Sequence, residues 1–173
     1  MRCFIAVDIP KEIKKEILKI QAFLPKFLGK LTEPENLHLT LKFLGELTEE
    51  EIRKVKANLK KINLDKFNVE ISHLGVFSEK SIRIIWLNLF NCSNLQKKID
   101  YVLKDFFPQE KRFMGHLTIA RIKSLKNKQD FLEKLKGIKI PKMIFSLEKF
   151  SLKNSILTKS GPVYSNIEVY NLS

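Results

Sequence analysis

Cysteine is nearly missing from this chain: Cys3 and Cys92 are the only two among 173 residues. Two cysteines cannot build a disulfide framework, and no Cys-x-x-Cys pair stands ready for zinc. A reducing, cytoplasmic setting is the expectation, with Cys3 a small buried residue in an apolar strand. Long hydrophobic runs are also lacking. Asp8 interrupts the first apolar stretch, so no segment reads as a membrane span, and the N-terminus has no signal-peptide layout. No GxxxxGK loop is present, which argues against an ATP-dependent reaction. Histidine is scarce, three in all, and the motifs that hold them lack carboxylates or cysteines at metal-ligand spacing.

What is present is a globular composition. Hydrophobic residues make up 44% of the chain and include 13 Phe, enough to fill a core without disulfide or metal staples. Lys and Arg number 32 against 19 Asp and Glu, a net charge of +13. Such an excess concentrates polyanions near the surface, and nucleic acid is the commonest polyanion. A lysine-rich solvated surface accounts for the charge equally well, so charge alone leaves both readings open.

Periodicity predicts mixed α+β structure. Arg2 to Asp8 reads as a strand, followed by a helix from about Lys11 to Leu24 that Pro10 opens and Pro25 closes. Asn36 to Gly45 reads as a strand. Thr48 and Glu51 form a capping box for a helix that buries Ile52, Val55, Leu59 and Ile62. Phe67 to Phe77 and Ile82 to Phe90 read as a hairpin turning at Ser78–Ser81. A helix from Ser93 is expected to carry a second capping box through Gln96 and to bury Leu95, Ile99, Val102, Leu103 and Phe106. Phe113 to Ile122 is a predicted strand, Asn127 to Lys136 a helix stopped by Gly137, and Ile138 to Leu172 three strands with a turn at Ser160–Pro162. The order strand, helix, strand with His-Leu-Thr, helix, strands occurs twice, in halves of roughly 1–80 and 81–173. The pattern predicts a duplicated two-lobe fold. Each lobe is an antiparallel sheet with helices on its outer face, the terminal strands are open to exchange between lobes, and a cleft lies between.

The two repeats share one polar feature. His38-Leu39-Thr40-Leu41 and His116-Leu117-Thr118-Ile119 occupy the same place in each half. In a strand, residues i and i+2 project to one face. Each motif therefore offers an imidazole beside a hydroxyl on one side and buries two apolar residues on the other. Duplication explains repeated leucines, but it does not require a His-Thr pair to persist on both strands. Two such faces across a cleft would surround one small anion. A neutral imidazole can take a proton from an attacking hydroxyl, an imidazolium can give one to the departing alkoxide, and the threonines can donate to the remaining oxygens. Arg121 lies five residues after His116. An odd offset points away from that face unless a bulge or strand end re-aims the side chain, and a surface arginine is the equal alternative. His73 has no threonine two residues on and reads as structural.

These residues resemble the two-histidine phosphoesterase superfamily, in particular its RNA 2′,3′-cyclic phosphodiesterase, or 2′-5′ RNA ligase, family. The resemblance runs through FIAVDIP, ENLHLTLKFLGEL, HLGVFSEKSIRIIWLNL, RFMGHLTIARIK and FSLKNSILTKSGPVYSNIEVYNL, nearly the whole chain. It implies a bilobal fold with pseudo-twofold symmetry. It also implies metal-independent hydrolysis of RNA 2′,3′-cyclic phosphate ends to 2′-phosphates, and reversible joining of RNA ends through a 2′-5′ linkage. Carried over, His38 and His116 are the acid–base pair, Thr40 and Thr118 hold phosphate oxygens, and Arg121 anchors the terminal phosphate or nucleotide. Phe4 packs against the nucleotide, a core role being equally open. For hydrolysis the expectation is His116 as base and His38 as acid. Gly115 replaces a proline found in many relatives, which is expected to loosen the approach to the second motif. No cofactor or metal is called for, RNA is the expected partner, and a monomer the expected state. Competing readings keep the site but change the substrate to 2′-5′ oligoadenylate or an ADP-ribose cyclic phosphate. Others replace catalysis with RNA binding through basic and aromatic side chains, or place a metal in the site.

Overall fold

The computed structural model describes all 173 residues. The strands are β1 (Arg2–Asp8), β2 (Leu28–Leu31), β3 (His38–Glu46), β4 (Phe67–Val76), β5 (Ile84–Phe90), β6 (His116–Ser124), β7 (Met143–Leu147), β8 (Lys149–Thr158) and β9 (Gly161–Asn171). The helices are α1 (Lys11–Ala22), α2 (Glu49–Leu59), α3 (Ser93–Val102) and α4 (Lys128–Lys136). They assemble two antiparallel sheets, β3-β1-β8-β9 and β2-β6-β5-β4-β7. The α+β, two-sheet fold predicted from the sequence is therefore the one observed. The last two strands lie in the sheet of β1 and β3, while β2 and β4 lie in the sheet of β5 and β6.

Local chemistry explains most element ends. Pro10 stands at the N-cap of α1, where its missing N–H costs nothing, and Ile13, Ile17 and Ile20 face the core. The helix ends at Ala22, two residues earlier than expected. Thr48 and Glu51 form the reciprocal capping box: the Glu51 N–H donates to Thr48 Oγ1 at 3.2 Å and the Thr48 N–H to Glu51 Oε2 at 2.8 Å. Asn127 caps α4 by accepting from the Asp130 N–H at 3.0 Å. The second capping box does not form. Cys92, not Ser93, is the cap residue of α3, without a side-chain cap bond. Gln96 is buried instead and donates to Asp100 at 2.8 Å. Phe106 is 46% exposed, and Phe107 packs on the core in its place. β3 starts at His38, after a short 3-10 turn at Pro34–Asn36, and β6 starts at His116.

Gly115 does not loosen the chain before β6. Its carbonyl accepts from the Leu89 N–H at 2.9 Å, extending the β5–β6 ladder. A Cβ there would stand 2.3 Å from Cys92 Sγ and 2.4 Å from the Leu89 carbonyl oxygen. The residue is glycine because the backbones approach too closely for a side chain.

Both motif strands carry a bulge at the same place. Between β1 and β3, Ile5 pairs with Lys42 and Ala6 with Thr40, leaving Leu41 extra. Between β5 and β6, Ile85 pairs with Ala120 and Trp86 with Thr118, leaving Ile119 extra. A bulge inverts the side-chain phase beyond it. Leu41 and Lys42 are thus both buried, as are Ile119 and Ala120, while Phe43 and Arg121 turn outward. Each bulge is held by a helix that follows a strand of the opposite sheet. From α1, Gln21 Nε2 donates to the bulged Ile119 carbonyl at 2.8 Å and to Thr32 O at 2.9 Å. From α3, Asp100 pairs with the buried Lys42 ammonium. Lys42 also donates to Pro108 O at 2.7 Å. Burial alone would raise the Asp100 carboxyl pKa, but hydrogen bonds from Lys42, the Glu110 N–H and Gln96 outweigh it and hold the acid ionised.

Candidate active site

The front faces of the two sheets enclose a cavity of about 760 Å³, a volume suited to a small ligand. Sheet one contributes Phe4, His38, Thr40 and Phe43. Sheet two contributes Ile84, His116, Thr118 and Arg121, and Lys30, Asn36 and Tyr164 close the sides. All six residues singled out in the sequence line this one space. His38 and His116 come from strands of different sheets. Arg121 joins them because the bulge at Ile119 cancels its odd offset.

Each imidazole is held alike. His38 Nδ1 lies 2.7 Å from Asn36 O, and His116 Nδ1 lies 3.0 Å from Met114 O. A carbonyl accepts only, so Nδ1 carries a proton in both rings. Nε2 is then the nitrogen that exchanges protons in each. Both partners lie two residues before the histidine, so the start of each motif strand sets its own tautomer.

The aromatic surroundings repeat as well. Tyr164 meets His38 edge to face at 5.0 Å and 83°, and Phe77 meets His116 at 5.0 Å and 86°. Phe4 adds a second ring, 5.2 Å from His38 and 5.1 Å from Tyr164. Phe4 is buried and lines the cavity.

Electrostatics distinguish His38. Burial pulls its pKa from 6.5 down to about 4, and the Lys153 and Arg121 cations add to the effect. The Asn36 carbonyl and Asp8 oppose it. Lys153 is buried and bridges Asp8, at 2.9 Å, and Asn166, at 2.7 Å. Asp8 is the strand partner of His38. The Tyr164 hydroxyl pKa is raised by burial, against the pull of Arg121 and Arg2.

Several groups in or beside the cavity escaped sequence reasoning. β2, all four of whose residues are exposed, adds Lys30, which donates to Ser160 O at 2.7 Å on the β8–β9 turn. Asn36, Tyr164, Lys153 and Phe77 stand in no repeated motif. His73, read as structural, is exposed and lies 3.1 Å from Asn88 Nδ2. No three His, Cys, Asp or Glu side chains come together as a metal site. No helix is long and apolar enough to cross a membrane.

The LigT like Phosphoesterase family matches residues 7–86 and 91–164 of the chain. An RNA 2′,3′-cyclic phosphodiesterase of Methanocaldococcus jannaschii is 37% identical over 97% of this chain and 99% of its own length. A protein of the same name from Methanothermobacter thermautotrophicus is 34% identical over 99% of each. Among solved structures, TT0787 of Thermus thermophilus superposes with a TM-score of 0.83 at 26% identity, over 99% of this chain and 97% of that one. Escherichia coli LigT complexed with 3′-AMP superposes at 0.80, over 99% and 98%. At 23% identity it speaks for the fold alone.

Proposed function

The chain belongs to the LigT-like phosphoesterase family, and on that footing we propose that it opens 2′,3′-cyclic phosphate ends of RNA to 2′-phosphates, with His38 and His116 as its acid–base pair. The observation that carries the proposal is the shared cavity: two imidazoles with Nδ1 tied back, two threonines and one arginine around a single space.

The chemistry divides as follows. The phosphate lies between the two motif strands. Thr40 and Thr118 hydroxyls donate to its non-bridging oxygens, and the Arg121 guanidinium pairs with them through its forked donors. These donors compensate the charge that grows as the phosphorus becomes five-coordinate. His38, whose pKa is about 4, enters the reaction neutral. It takes a proton from water at Nε2 while the water oxygen bonds to phosphorus. The P–O3′ bond breaks on the opposite side, and His116 as imidazolium gives its Nε2 proton to the departing O3′. This reverses the acid–base assignment expected from the sequence. Burial and the Lys153 and Arg121 charges disfavour the protonated ring, which supports His38 as the group that enters neutral. Exchange with solvent then restores both protonation states. No step requires a metal, a cofactor or ATP.

With an RNA 5′-hydroxyl in place of water, the same transfers form a 2′-5′ linkage, and the reverse cleaves it. The net charge of +13 draws the polyanion to the cleft.

The test is incubation of RNA ending in a 2′,3′-cyclic phosphate, with the position of the product phosphate read by phosphorus NMR. A 2′-phosphate is expected, formed equally in excess EDTA. A 3′-phosphate, or loss of activity on chelation, would refute the scheme. His38→Ala and His116→Ala are each expected to lower turnover by about 100- to 10,000-fold while RNA binding persists.

A further inference from the structure

The cavity ends at His116, but the aromatic surface does not. Phe77 stands against the His116 ring at 5.0 Å, is 55% exposed and lies outside the cavity lining. Trp86 follows at 5.7 Å from Phe77, His73 at 6.3 Å from Trp86, and Phe90 at 5.5 Å from His73. Each step falls within the range of aromatic contact. The rings form a continuous path from the second motif across β5 and β4. His73 is exposed and Phe90 is 41% exposed.

The path is built, not incidental. A Cβ at Gly75 would stand 2.4 Å from Trp86 Cη2, so the glycine makes the space in which the indole lies. The Trp86 indole N–H is the one buried side-chain polar group in the chain without a hydrogen-bond partner. Leaving such a group unpaired is costly, and a core needing only apolar filling would not select it. Asn88, the strand partner of His116, points its amide at His73 Nε2 at 3.1 Å. Hydrogen-bonding groups therefore lie beside the exposed rings.

We propose that this shelf stacks the base next to the terminal nucleotide, so that the substrate is an RNA strand end and not a free cyclic mononucleotide. The inference rests on the proposed cyclic phosphodiesterase reading. The terminal nucleoside and its cyclic phosphate occupy the cavity, and the preceding base lies on Phe77. Stacking on an exposed ring tolerates any base. The chain's strong positive charge favours an occupant that carries a further phosphate.

The experiment compares kcat/KM for the dinucleotide ApA 2′,3′-cyclic phosphate with that for adenosine 2′,3′-cyclic phosphate. One stacked base predicts a preference of about tenfold for the dinucleotide in the wild type. Phe77→Ala is expected to reduce that ratio to near one, and Phe77→Trp to restore it. A wild type without preference overturns the inference and leaves the proposed reaction standing. So does a Phe77→Ala variant in which both substrates lose equally, which would mean that Phe77 only supports His116. Turnover of neither substrate by the wild type overturns both readings.

Discussion

Lowering the pH from 7 to 4 is expected to destabilise the fold through His38. The unfolded chain carries this imidazole at its ordinary pKa of 6.5, whereas burial in the cleft wall holds it at about 4. Above pH 6.5 the ring is neutral in both states and contributes nothing. Between 6.5 and 4 the unfolded chain binds a proton that the folded chain refuses, so stability falls with pH. Below 4 both states are protonated and the slope ends. A gap of about 2.5 in pKa corresponds to about 3.4 kcal/mol for a fully shielded group. Water reaches part of this ring, so about 2 to 3 kcal/mol is expected. Carboxylates that the fold holds ionised, such as Asp100, add their own loss as the acids of the unfolded chain take up protons, so the measurement is a difference: urea unfolding of wild type and His38→Gln at about pH 7 and about pH 4. The wild type should lose about 2 to 3 kcal/mol more than the variant. Under the proposed mechanism, in which His38 is the base, kcat/KM should rise with pH through an acid limb at about 4. Parallel stability curves for the two proteins would refute the assignment of a shielded neutral ring. An acid limb at about 6.5, the ordinary histidine value, would refute it from the kinetic side.

Other perturbations test the supports of the site. Lys42→Met leaves the buried Asp100 carboxylate unpaired and should cost about 3 to 5 kcal/mol, while Lys42→Met with Asp100→Leu recovers most of it. Both are read from urea midpoints. Arg121→Ala should lower kcat/KM on RNA ends by about 10- to 100-fold. Arg121→Lys should restore only part, since an ammonium lacks the forked donors. Gly75→Val drives side-chain atoms into the indole and should destabilise by about 1 to 3 kcal/mol. It should also shift the fluorescence of Trp86, the only tryptophan.

Much of this protein was legible along the chain. The capping box at Thr48, the proline ahead of α1 and the apolar stripes of its helices are local features, set by residues within a few positions of one another. The repeated His-Leu-Thr pattern is local in the same sense, because strand alternation alone puts each imidazole beside its hydroxyl. Features that depend on a partner strand were hidden. Nothing in Leu41 or Ile119 announces a bulge, since a bulge is a mismatch between two strands. Arg121 therefore could not be assigned a face. β2 is short and exposed on every side chain, and only its pairing with β6 makes it a strand. Gln96 carried the spacing of a cap and became a buried partner of Asp100, because the approach of β3 to α3 brought Lys42 there.

The sequence by itself determined most of the secondary elements, the repeated His-Leu-Thr pattern and the chemical identity of the groups at the site, because these follow from side-chain types at short spacing. Only the tertiary structure decided that both histidines open on one cavity, that Arg121 joins them, and that burial lowers the pKa of His38. Those properties arise from sheet pairing, bulge phase and exclusion of water, which bring together residues distant along the chain, such as Gln21 and Ile119 or Asp8 and Lys153.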